Sequence, residues 1–425
     1  MNRRGFLLGS AGLAALGGGL LARPRDAGGR YDSYFQALND ELKRNGPMRP
    51  CLVLDLDRLD HNIGVLRQSI RAPKHYRVVA KSLPSPKLIG HIFGKAQTNR
   101  LMAFHQPFLN EEARMFPNAD ILLGKPLPVR SAQLFYEQHK GRFDPSRQLQ
   151  WLIDTPERLQ QYLELARGLG TRLRINIEID VGLHRGGVQD TGQLDALLVL
   201  LRDHPLQLEF AGFMGYDPHV VKLPRIAGTR EELFASVLRR YKMFVDFTRL
   251  EYPQVWRAGL TLNGAGSPTY RLYENDTLVN DLSAGSGLVK PTDFDLDTLA
   301  GHVPALFIAT PVLKVNDGLR LPELDGLSRI ARWWNPNQRR GFFIYGGYWK
   351  AKPESPAGLQ NSGLYGRSSN QELLTGSAGI DLKSDDHVFL RPTQSEGVML
   401  EFGDLVITRG GRIVDHWPVL PMAGT

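Results

Sequence analysis

Lys81 stands where a short apolar run ends, in the stretch YRVVAKS (76–82). Arg185 lies further along the chain in a glycine-rich turn, GLHRGG. Two later stretches, LNGAGSPT (262–269) and LSAGSG (282–287), are rich in small residues whose backbone N–H groups can hold a phosphate. An amine, an arginine and phosphate-binding loops together suit a phosphorylated carbonyl cofactor, because a lysine amine forms a Schiff base with an aldehyde.

Each of these features also has an ordinary structural interpretation. A lysine at a strand end is usually solvated, glycine–serine loops are frequently plain turns, and an arginine beside two glycines is ordinarily a surface residue. The order and spacing of Lys81, Arg185 and the two loops favour the functional interpretation. A lysine desolvated in the mouth of a barrel would have a lowered pKa, which makes it a better nucleophile and base.

An alternation of strand-like and helical patterns must position these residues. Strand-like apolar runs occupy residues 51–57, 76–82, 100–105, 120–125, 149–154, 173–180, 208–216 and 259–266. Eight such units alternating with amphipathic stretches predict a (β/α)8 barrel of the TIM type, with an open doubly wound sheet as the alternative. The barrel is favoured because polar residues follow several strands at the face where barrels carry active sites, namely Lys81, Asp180, Tyr216 and Asn263.

The helical patterns cover residues 58–70, 155–169, 191–203 and 230–250. Thr155 and Thr191 stand at the N-termini of two of them, where a hydroxyl can accept the free backbone N–H groups of the first turn. The barrel domain is therefore predicted to span residues 45–300.

A different pattern follows the barrel. Strand-like runs succeed one another without helices, and Gly410-Gly411 marks a hairpin turn between two of them. The segment 351–380 is rich in proline, glycine and serine and is predicted to be a long loop. A β-rich domain over residues 301–425 is expected, on which residues 31–44 can pack.

Residues 1–30 are predicted to be a twin-arginine export signal. The pair Arg3-Arg4 precedes a weakly apolar, glycine- and alanine-rich run that ends near Leu21. A membrane anchor is the alternative, but the run is short and weakly apolar for a span, which requires roughly 20 residues. Because this route exports folded proteins, the signal favours a cofactor loaded in the cytoplasm and a periplasmic location. No clear cleavage motif follows, so an uncleaved leader that tethers the protein to the membrane stays open.

The net charge of +8 does not indicate a nucleic-acid partner. Residues 1–30 hold five arginines and one aspartate, so about half of the excess lies in the leader, and the rest is spread without a basic block. The single cysteine, Cys51, excludes an internal disulfide framework and a CxxC metal site. Its place in a strand pattern predicts a small buried side chain.

The chain resembles the fold-type III pyridoxal-phosphate enzymes, and within them the D-threonine aldolase and D-serine dehydratase branch. The resemblance covers roughly residues 45–420 and rests on CLVLDLDRLDHNI (51–63), VVAKS (78–82), IEIDVGLHRGGV (177–188), FAGFMGYDPH (210–219), GAGSPT (264–269), AGSG (284–287) and GRIVDHWPV (411–419). The AK and EIDVGxxRxGV segments are the most specific. The resemblance implies a barrel followed by a β domain, a homodimer with sites near its interface, and pyridoxal 5′-phosphate as cofactor.

Carried over by position, the resemblance assigns a role to each matching residue. Lys81 would hold the cofactor as an internal aldimine, and Arg185 would sit beside the pyridine ring or its phenolic oxygen. Tyr216 would lie near the cofactor. The phosphate would be cradled by Gly266, Ser267, Gly285 and Ser286.

The chain departs from that branch at a possible metal site. Histidines that flank the lysine in the branch are replaced here by Val79 and Leu83. The C-terminal pair that binds a divalent metal corresponds to the stretch RPTQSEG, which places Gln394 and Glu396 on the substrate side. Glutamine is a poorer ligand than histidine, which leaves Glu396 and His387 as candidates for a hard-metal site. Glu396 can instead act directly as acid or base, or be a solvated turn residue.

The expected function is that of an exported pyridoxal-phosphate-dependent lyase acting on a D-amino acid with a β-hydroxyl group. The reaction would be aldol cleavage or dehydration through an external aldimine, with Lys81 as a candidate base. A racemase is an alternative and would need a second base, for which Tyr345, Tyr348 and Tyr365 are available. A non-catalytic homologue that keeps the cofactor is another. The expected partners are an amino-acid substrate, a second copy of the chain and the twin-arginine export machinery.

Overall fold

The structure, a computed structural model, describes residues 23–320, 323, 325–363 and 365–420. The predicted export signal therefore lies mostly outside the described residues. The chain divides into two compact units. Within the described residues, the barrel unit comprises residues 54–306, 393–405 and 416–420, and the sheet unit comprises residues 23–53, 307–392 and 406–415.

The strands and helices follow one another along the chain in this order. The strands are β1 (Cys51–Asp55), β2 (His75–Val79), β3 (Arg100–Ala103), β4 (Asp120–Leu123), β5 (Leu149–Ile153), β6 (Leu173–Glu178), β7 (Leu208–Met214), β8 (Thr261–Gly264), β9 (Asp281–Ala284), β10 (Leu306–Asn316), β11 (Arg340–Tyr345), β12 (Ala351–Ser355), β13 (Gln360–Asn361), β14 (Gln371–Gly376), β15 (His387–Pro392), β16 (Leu405–Arg409) and β17 (Arg412–Trp417). The α-helices are α1 (Ser33–Asn45), α2 (Leu56–Ser69), α3 (Pro86–Ala96), α4 (Gln106–Met115), α5 (Val129–Gln138), α6 (Pro145–Gln148), α7 (Pro156–Leu169), α8 (Thr191–Asp203), α9 (His219–Lys222), α10 (Arg230–Glu251) and α11 (Asp325–Trp334).

Strands β2 to β9 close into a parallel barrel, which confirms the predicted fold class. The barrel strands are almost wholly buried, because one face fills the barrel and the other meets the helices. Strand β5, for example, is buried at every residue. Closure between β2 and β9 includes a buried ion pair: the Arg77 Nε atom donates to Asp281 Oδ1 at 2.8 Å. Arg77 Nη2 also donates to Asp120 Oδ1 at 2.8 Å, so one guanidinium links three strands.

The barrel strands differ from the prediction at both ends of the series. Strand β1 was expected to be the first barrel strand, but it lies between β10 and β16 in the sheet of the other unit. The eighth barrel strand is β9, which the sequence analysis interpreted as a loop. The apolar run that ends at Asp55 would be buried in the barrel as well as in the sheet, so its pattern does not distinguish the two. Strand β9 carries Asp281 and Ser283, polar residues that are nevertheless buried inside the barrel.

Local capping explains where several helices begin. Thr155 accepts a hydrogen bond from the Arg158 N–H at the start of α7, as predicted. At α8 the cap is Asp190, which accepts from the Gln193 N–H, so Thr191 is the first helical residue and the prediction was one residue late. No helix of the described residues is long and apolar enough to cross a membrane.

The sheet unit contains nine strands, with the path β13-β14-β11-β10-β1-β16-β17 and β15 joining β10 to β12. Its core packs Phe35 and Leu38 of α1 against Phe307 and Phe389, and Cys51 is buried there as expected. The hairpin between β16 and β17 turns at Gly410-Gly411, whose φ angles of 57° and 72° suit glycine.

Two predictions for the sheet unit were wrong. The segment 351–380 is not a long loop, because it contains β12, β13 and β14. A helix, α11, also interrupts the strands. The short or strongly polar strands β12 and β13 pair with longer partners, so tertiary pairing outweighed their weak strand propensity.

The described end of the predicted leader is held by the sheet unit. Arg23 Nη2 donates to the Trp333 carbonyl oxygen at 2.9 Å, and the Ala27 N–H donates to Asn337 Oδ1 at 2.9 Å. The Gly29 N–H donates to the Ala357 carbonyl oxygen at 3.1 Å. Residues 23–30 therefore pack on the sheet unit, and the leader boundary at residue 30 stays a prediction.

Candidate active site

A cavity of about 260 Å³ opens where the barrel strands end, at the face expected to carry an active site. Loops after seven of the eight barrel strands contribute to its lining, the exception being β5. The predicted site residues that line it are Lys81, Arg185, Tyr216, Gly266, Ser267, Gly285, Ser286, Gln394 and Glu396. Residues separated by as many as 315 positions along the chain thus share one cavity.

Lys81 sits in a single 3₁₀ turn, Ala80–Ser82, directly after β2. Its Nζ atom donates to Glu396 Oε1 at 3.2 Å and lies 5.1 Å from the centre of the Phe104 ring. The side chain is about half exposed, at 44%, so the amine is accessible from the cavity. One carboxylate and one aromatic face therefore hold the amine without burying it.

Glu396 is fixed by a chain of hydroxyl groups as well as by Lys81. Ser82 Oγ donates to Glu396 Oε2 at 3.1 Å, and Ser286 Oγ donates to Ser82 Oγ at 2.9 Å. Each carboxylate oxygen of Glu396 therefore has its own donor. Glu396 lies in a 3₁₀ turn of the segment 393–405, which belongs to the barrel unit.

That placement corrects the predicted domain boundary. Everything after residue 300 was predicted to belong to the β domain, yet residues 393–405 belong to the barrel unit. Besides the contacts of Glu396, Gln394 Nε2 donates to Asp293 Oδ2 at 3.0 Å, and the Asp293 N–H donates to the Thr393 carbonyl oxygen at 3.1 Å. The amide of Gln394 is thereby oriented, and its oxygen is the atom left to accept a bond.

Arg185 is presented by a tight loop after β6. Asp180 Oδ1 accepts from the N–H groups of Gly182 and His184, at 2.8 and 3.0 Å, which curls the loop back on itself. The Asp180 N–H donates to the Val188 carbonyl oxygen and the Val188 N–H donates to the Glu178 carbonyl oxygen, both at 2.8 Å, which closes the base of the loop. Burial alone would raise the pKa of the Asp180 carboxyl group. The hydrogen bonds that this group accepts from His184 and Gly182 outweigh burial and leave the pKa below its usual value.

The Arg185 guanidinium lies over the ring of Tyr216, 4.9 Å from the ring centre. Burial raises the pKa of Tyr216, and Arg185 opposes that shift. The next residue, Asp217, is fully buried and accepts from Thr269 Oγ1 at 2.7 Å and Tyr273 OH at 2.8 Å. These bonds tie the Tyr216 segment to the glycine–serine loop after β8.

The two glycine–serine loops are held against each other by Ser267. Its Oγ accepts from the N–H groups of Gly285 and Gly287, at 3.0 and 2.9 Å. A Cβ atom at Gly266 would lie 2.6 Å from the Tyr216 ring, and one at Gly285 would lie 2.8 Å from Val79. Glycine is therefore required at both positions for the loops to approach the cavity so closely.

A second carboxylate lies close to Arg185. Glu178, at the end of β6, has its pKa raised to about 7 by burial and by the charge of Asp154, while Arg185 opposes the shift. From the sequence, Glu178 was predicted to lie on a strand and was given no role in the site.

The metal candidates do not assemble into one group. His387 lies on β15 in the sheet unit, where burial lowers its pKa to about 4 and neither ring nitrogen has a hydrogen-bond partner. Glu396 lies in the barrel unit. Over residues 23–320, 323, 325–363 and 365–420, no three His, Cys, Asp or Glu side chains are placed to hold a metal ion. We assign no step to a metal.

Several residues of the cavity, among them Ser82, Phe104 and Lys222, were not singled out from the sequence. Ser82 follows Lys81 directly, and its contact with Glu396 depends on the fold alone. Phe104 and Lys222 line the cavity from the segments after β3 and β7. The three tyrosines considered for a second base are partly exposed residues of the sheet unit, and Tyr365 OH donates to the Arg320 carbonyl oxygen.

The model of the alanine racemase N-terminal domain matches residues 54–288, which is more than half of the chain. The chain therefore belongs to this family, the fold-type III pyridoxal-phosphate enzymes. Among curated protein sequences, none matches the chain.

Solved structures with the same fold include enzymes of several activities. D-threonine aldolase from Filomicrobium marinum has a TM-score of 0.66 at 15% identity, covering 87% of this chain and 96% of its own. D-threo-3-hydroxyaspartate dehydratase from Delftia sp. HT23 has a TM-score of 0.65 at 16% identity, covering 87% and 97%. Alanine racemase from Bacillus anthracis with bound L-Ala-P has a TM-score of 0.65 at 14% identity, covering 88% and 98%. At these identities the likeness shows a shared fold and nothing beyond it.

The cavity suits the cofactor of this family. It offers the amine of Lys81 directly after a barrel strand, and an apolar wall for a ring, to which Met102, Phe104 and Met214 contribute. At Gly266 and Gly285 the loops leave no room for a Cβ atom, and the backbone of both glycines lines the cavity.

Proposed function

We propose that this chain is an exported pyridoxal-phosphate-dependent lyase that cleaves or dehydrates a D-amino acid bearing a β-hydroxyl group. The contact between Lys81 Nζ and Glu396 Oε1, 3.2 Å, carries the proposal. It pairs an amine that can bind the cofactor with a carboxylate that can move a proton, inside one cavity.

The residues that would hold the cofactor divide by chemistry. Lys81 supplies the amine, and Arg185 the charge beside the ring. The phosphate would be bound by the loops that contain Gly266, Ser267, Gly285 and Ser286. When bound, pyridoxal phosphate supplies an aldehyde for amines and a ring that withdraws electrons from the substrate carbon.

Lys81 and Glu396 can then share the proton transfers. As a free amine, Lys81 Nζ can take a proton from the substrate, and Glu396 Oε1 can accept that proton from the ammonium group. The carboxyl group of Glu396 can deliver it to the β-oxygen that departs in a dehydration. For aldol cleavage the same carboxylate would take the proton of the β-hydroxyl group. Ser82 keeps Oε2 occupied, which leaves Oε1 as the atom that exchanges the proton.

Gln394 would contribute to substrate binding without a charge. Its amide nitrogen is engaged by Asp293, so its oxygen can accept a hydrogen bond from a substrate hydroxyl group. This residue stands where the related branch is expected to place a metal ligand. In the proposed reaction, Glu396 exchanges a proton with the β-hydroxyl group and Gln394 accepts a hydrogen bond from it.

Reconstitution with pyridoxal phosphate tests the proposal. The purified protein should gain the absorbance of a lysine-bound pyridoxal, and Lys81→Ala should not gain it. The loaded protein should release an aldehyde and glycine from D-threonine, or a keto acid and ammonia from D-serine. Failure of the wild-type protein to bind the cofactor would overturn the proposal.

The same assay separates the racemase alternative. Conversion of a D-amino acid to its L-form, without release of aldehyde or ammonia, would favour a racemase. A loaded protein whose spectrum no D- or L-amino acid perturbs would instead be a non-catalytic homologue. A homodimer and the periplasmic location stay predictions.

A further inference from the structure

The cavity carries more positive than negative charge. Lys81, Arg185 and Lys222 line it, and Glu396 is the carboxylate among the described lining residues. Glu396 is engaged by Lys81, and Arg185 lies over the Tyr216 ring. Arg185 and Lys222 are thus left without a carboxylate partner from the cavity lining, which favours anionic ligands in the cavity.

Lys222 is the one of the two that has no aromatic partner. Within the described residues, its ammonium group has no hydrogen bond and no carboxylate within salt-bridge distance. It is an exposed residue, yet it belongs to the cavity lining. A lysine in this position can close onto an anion that enters the cavity, since its long side chain is free to turn.

The backbone that carries Lys222 is firmly held. Lys222 is the last residue of α9, and Asp217, five residues before it, is anchored by Thr269 and Tyr273. Val220 between them is buried. The same short segment places Tyr216 inside the cavity and Lys222 in its lining, and its anchors belong to the loop of Gly266. The ammonium group therefore starts from a defined point beside the proposed cofactor site.

We propose that Lys222 binds a carboxylate of the amino-acid substrate. This inference rests on the proposed function, because it takes the substrate to be an amino acid bound in this cavity. The carboxylate has two possible sources: the α-carboxylate common to all amino acids, or the side-chain carboxylate of an acidic amino acid. Only the second source would make the enzyme selective for acidic β-hydroxy amino acids.

The cofactor phosphate is the competing anion. The glycine–serine loops are its proposed site, where the Ser267 hydroxyl accepts from Gly285 and Gly287 and has its own hydrogen left to donate, and Arg185 is the cation beside the proposed ring site. Lys222 stands on a different segment from those loops. We therefore assign Lys222 to the substrate.

Equilibrium titration of the cofactor absorbance tests the inference without relying on turnover. Wild-type, Lys222→Met and Lys222→Arg proteins, each loaded with pyridoxal phosphate, are titrated with D-aspartate and with D-serine. Lys125→Met is the matched control, because Lys125 is also an exposed lysine in a segment that follows a barrel strand, here β4, but does not line the cavity. The affinity for pyridoxal phosphate is measured for every protein.

Weaker binding of D-aspartate alone by Lys222→Met, by about 10- to 100-fold, supports the inference with the side chain as source. Equal weakening of both amino acids supports it with the α-carboxylate as source. Lys222→Arg should keep most of the affinity. Added salt should weaken the binding of the amino acid to the wild-type protein more than its binding to Lys222→Met.

Two outcomes overturn the inference. Lys222→Met can bind both amino acids like the wild type, or it can lose affinity for pyridoxal phosphate while amino-acid binding stays unchanged. The failure of the proposed function looks different: the wild-type protein itself would take up no cofactor, or would respond to no amino acid.

Discussion

Glu396 reaches back across 315 residues of sequence to place its Oε1 atom 3.2 Å from Lys81 Nζ. Its other oxygen accepts from Ser82, the neighbour of Lys81 in the chain. One carboxylate thus binds two consecutive residues of a single 3₁₀ turn. Through these two hydrogen bonds, the turn that carries Lys81 is joined to the segment 393–405.

Glu396→Gln should lower kcat by about 100-fold or more while the protein still binds pyridoxal phosphate. The amide can still hydrogen-bond to Lys81 and Ser82, but it cannot exchange a proton at neutral pH. Steady-state kinetics with D-serine and D-threonine, and a cofactor titration, measure the two effects. Glu401→Gln, an exposed neighbour in the same segment, should behave like the wild type. A Glu396→Gln protein with unchanged kcat would remove this residue from the mechanism.

Gly285→Ala should weaken the binding of pyridoxal phosphate by about tenfold or more. The added methyl group would lie 2.8 Å from both the Cβ atom and the carbonyl oxygen of Val79. Relieving such overpacking typically costs about 1–3 kcal/mol and here would shift the loop of Ser286. Fluorescence or absorbance titration of the apoprotein measures the affinity. Gly94→Ala, where a Cβ atom meets nothing within 4 Å, is the control. Equal affinities of the two variants would contradict a tight cradle at Gly285.

The barrel could be predicted because its strands and helices alternate along most of the chain. Strand β9 could not be predicted, because Asp281 and Ser283 are residue types typical of loops. They are tolerated inside the barrel since Arg77 and Asn263 donate hydrogen bonds to them, which the sequence does not show. Strand β1 was misplaced for the opposite reason: an apolar run is equally compatible with a barrel and with the centre of another sheet.

The candidate site was predictable only in part. Lys81, Arg185 and the small-residue loops carry local motifs, so their types and order reveal them. The contact of Glu396 with Ser82 depends on the return of 393–405 to the barrel, which no local pattern encodes. Lys222 gives no signal at all in the sequence, because an exposed lysine near a proline is ordinary.

Replacing Arg3-Arg4 by two lysines should abolish export. The signal is recognised by a receptor, and the ammonium group of lysine lacks the planar, bidentate geometry of a guanidinium group. Cell fractionation should then find the protein in the cytoplasm instead of the periplasm or the membrane fraction. Arg25→Lys is the control outside the motif. Unchanged export of the twin-lysine variant would contradict the predicted route.

Asp281→Asn should destabilise the barrel by about 3–5 kcal/mol. Asp281 is fully buried and accepts from Arg77 Nε at 2.8 Å and from Arg100 Nη1 at 2.9 Å, so the substitution leaves the buried charge of Arg77 with Asp120 as its remaining carboxylate partner. Urea unfolding followed by circular dichroism measures the change. Asp246→Asn breaks an exposed pair with Lys242 and should change the free energy of unfolding by about 1 kcal/mol or less. Similar values for the two variants would rule out a structural role for the buried pair.

Glu112→Gln should make the protein more stable at alkaline pH and change how its stability depends on pH. Glu112 is buried in α4 with one oxygen unpaired, and burial raises its pKa from 4.5 to about 8. Between these values the unfolded chain has lost the proton and the folded chain keeps it. This group therefore lowers the free energy of unfolding as pH rises, by at most about 1.4 kcal/mol per pH unit.

The stability advantage of Glu112→Gln over the wild type should therefore grow from about pH 5 to pH 8 and level off above. Thermal and urea unfolding at a series of pH values measure that difference. Glu111→Gln is the matched control, since Glu111 is a partly exposed neighbour paired with Arg114 and should show no such trend. A difference between Glu112→Gln and wild type that stays constant over this range would mean that Glu112 does not keep its proton in the folded protein.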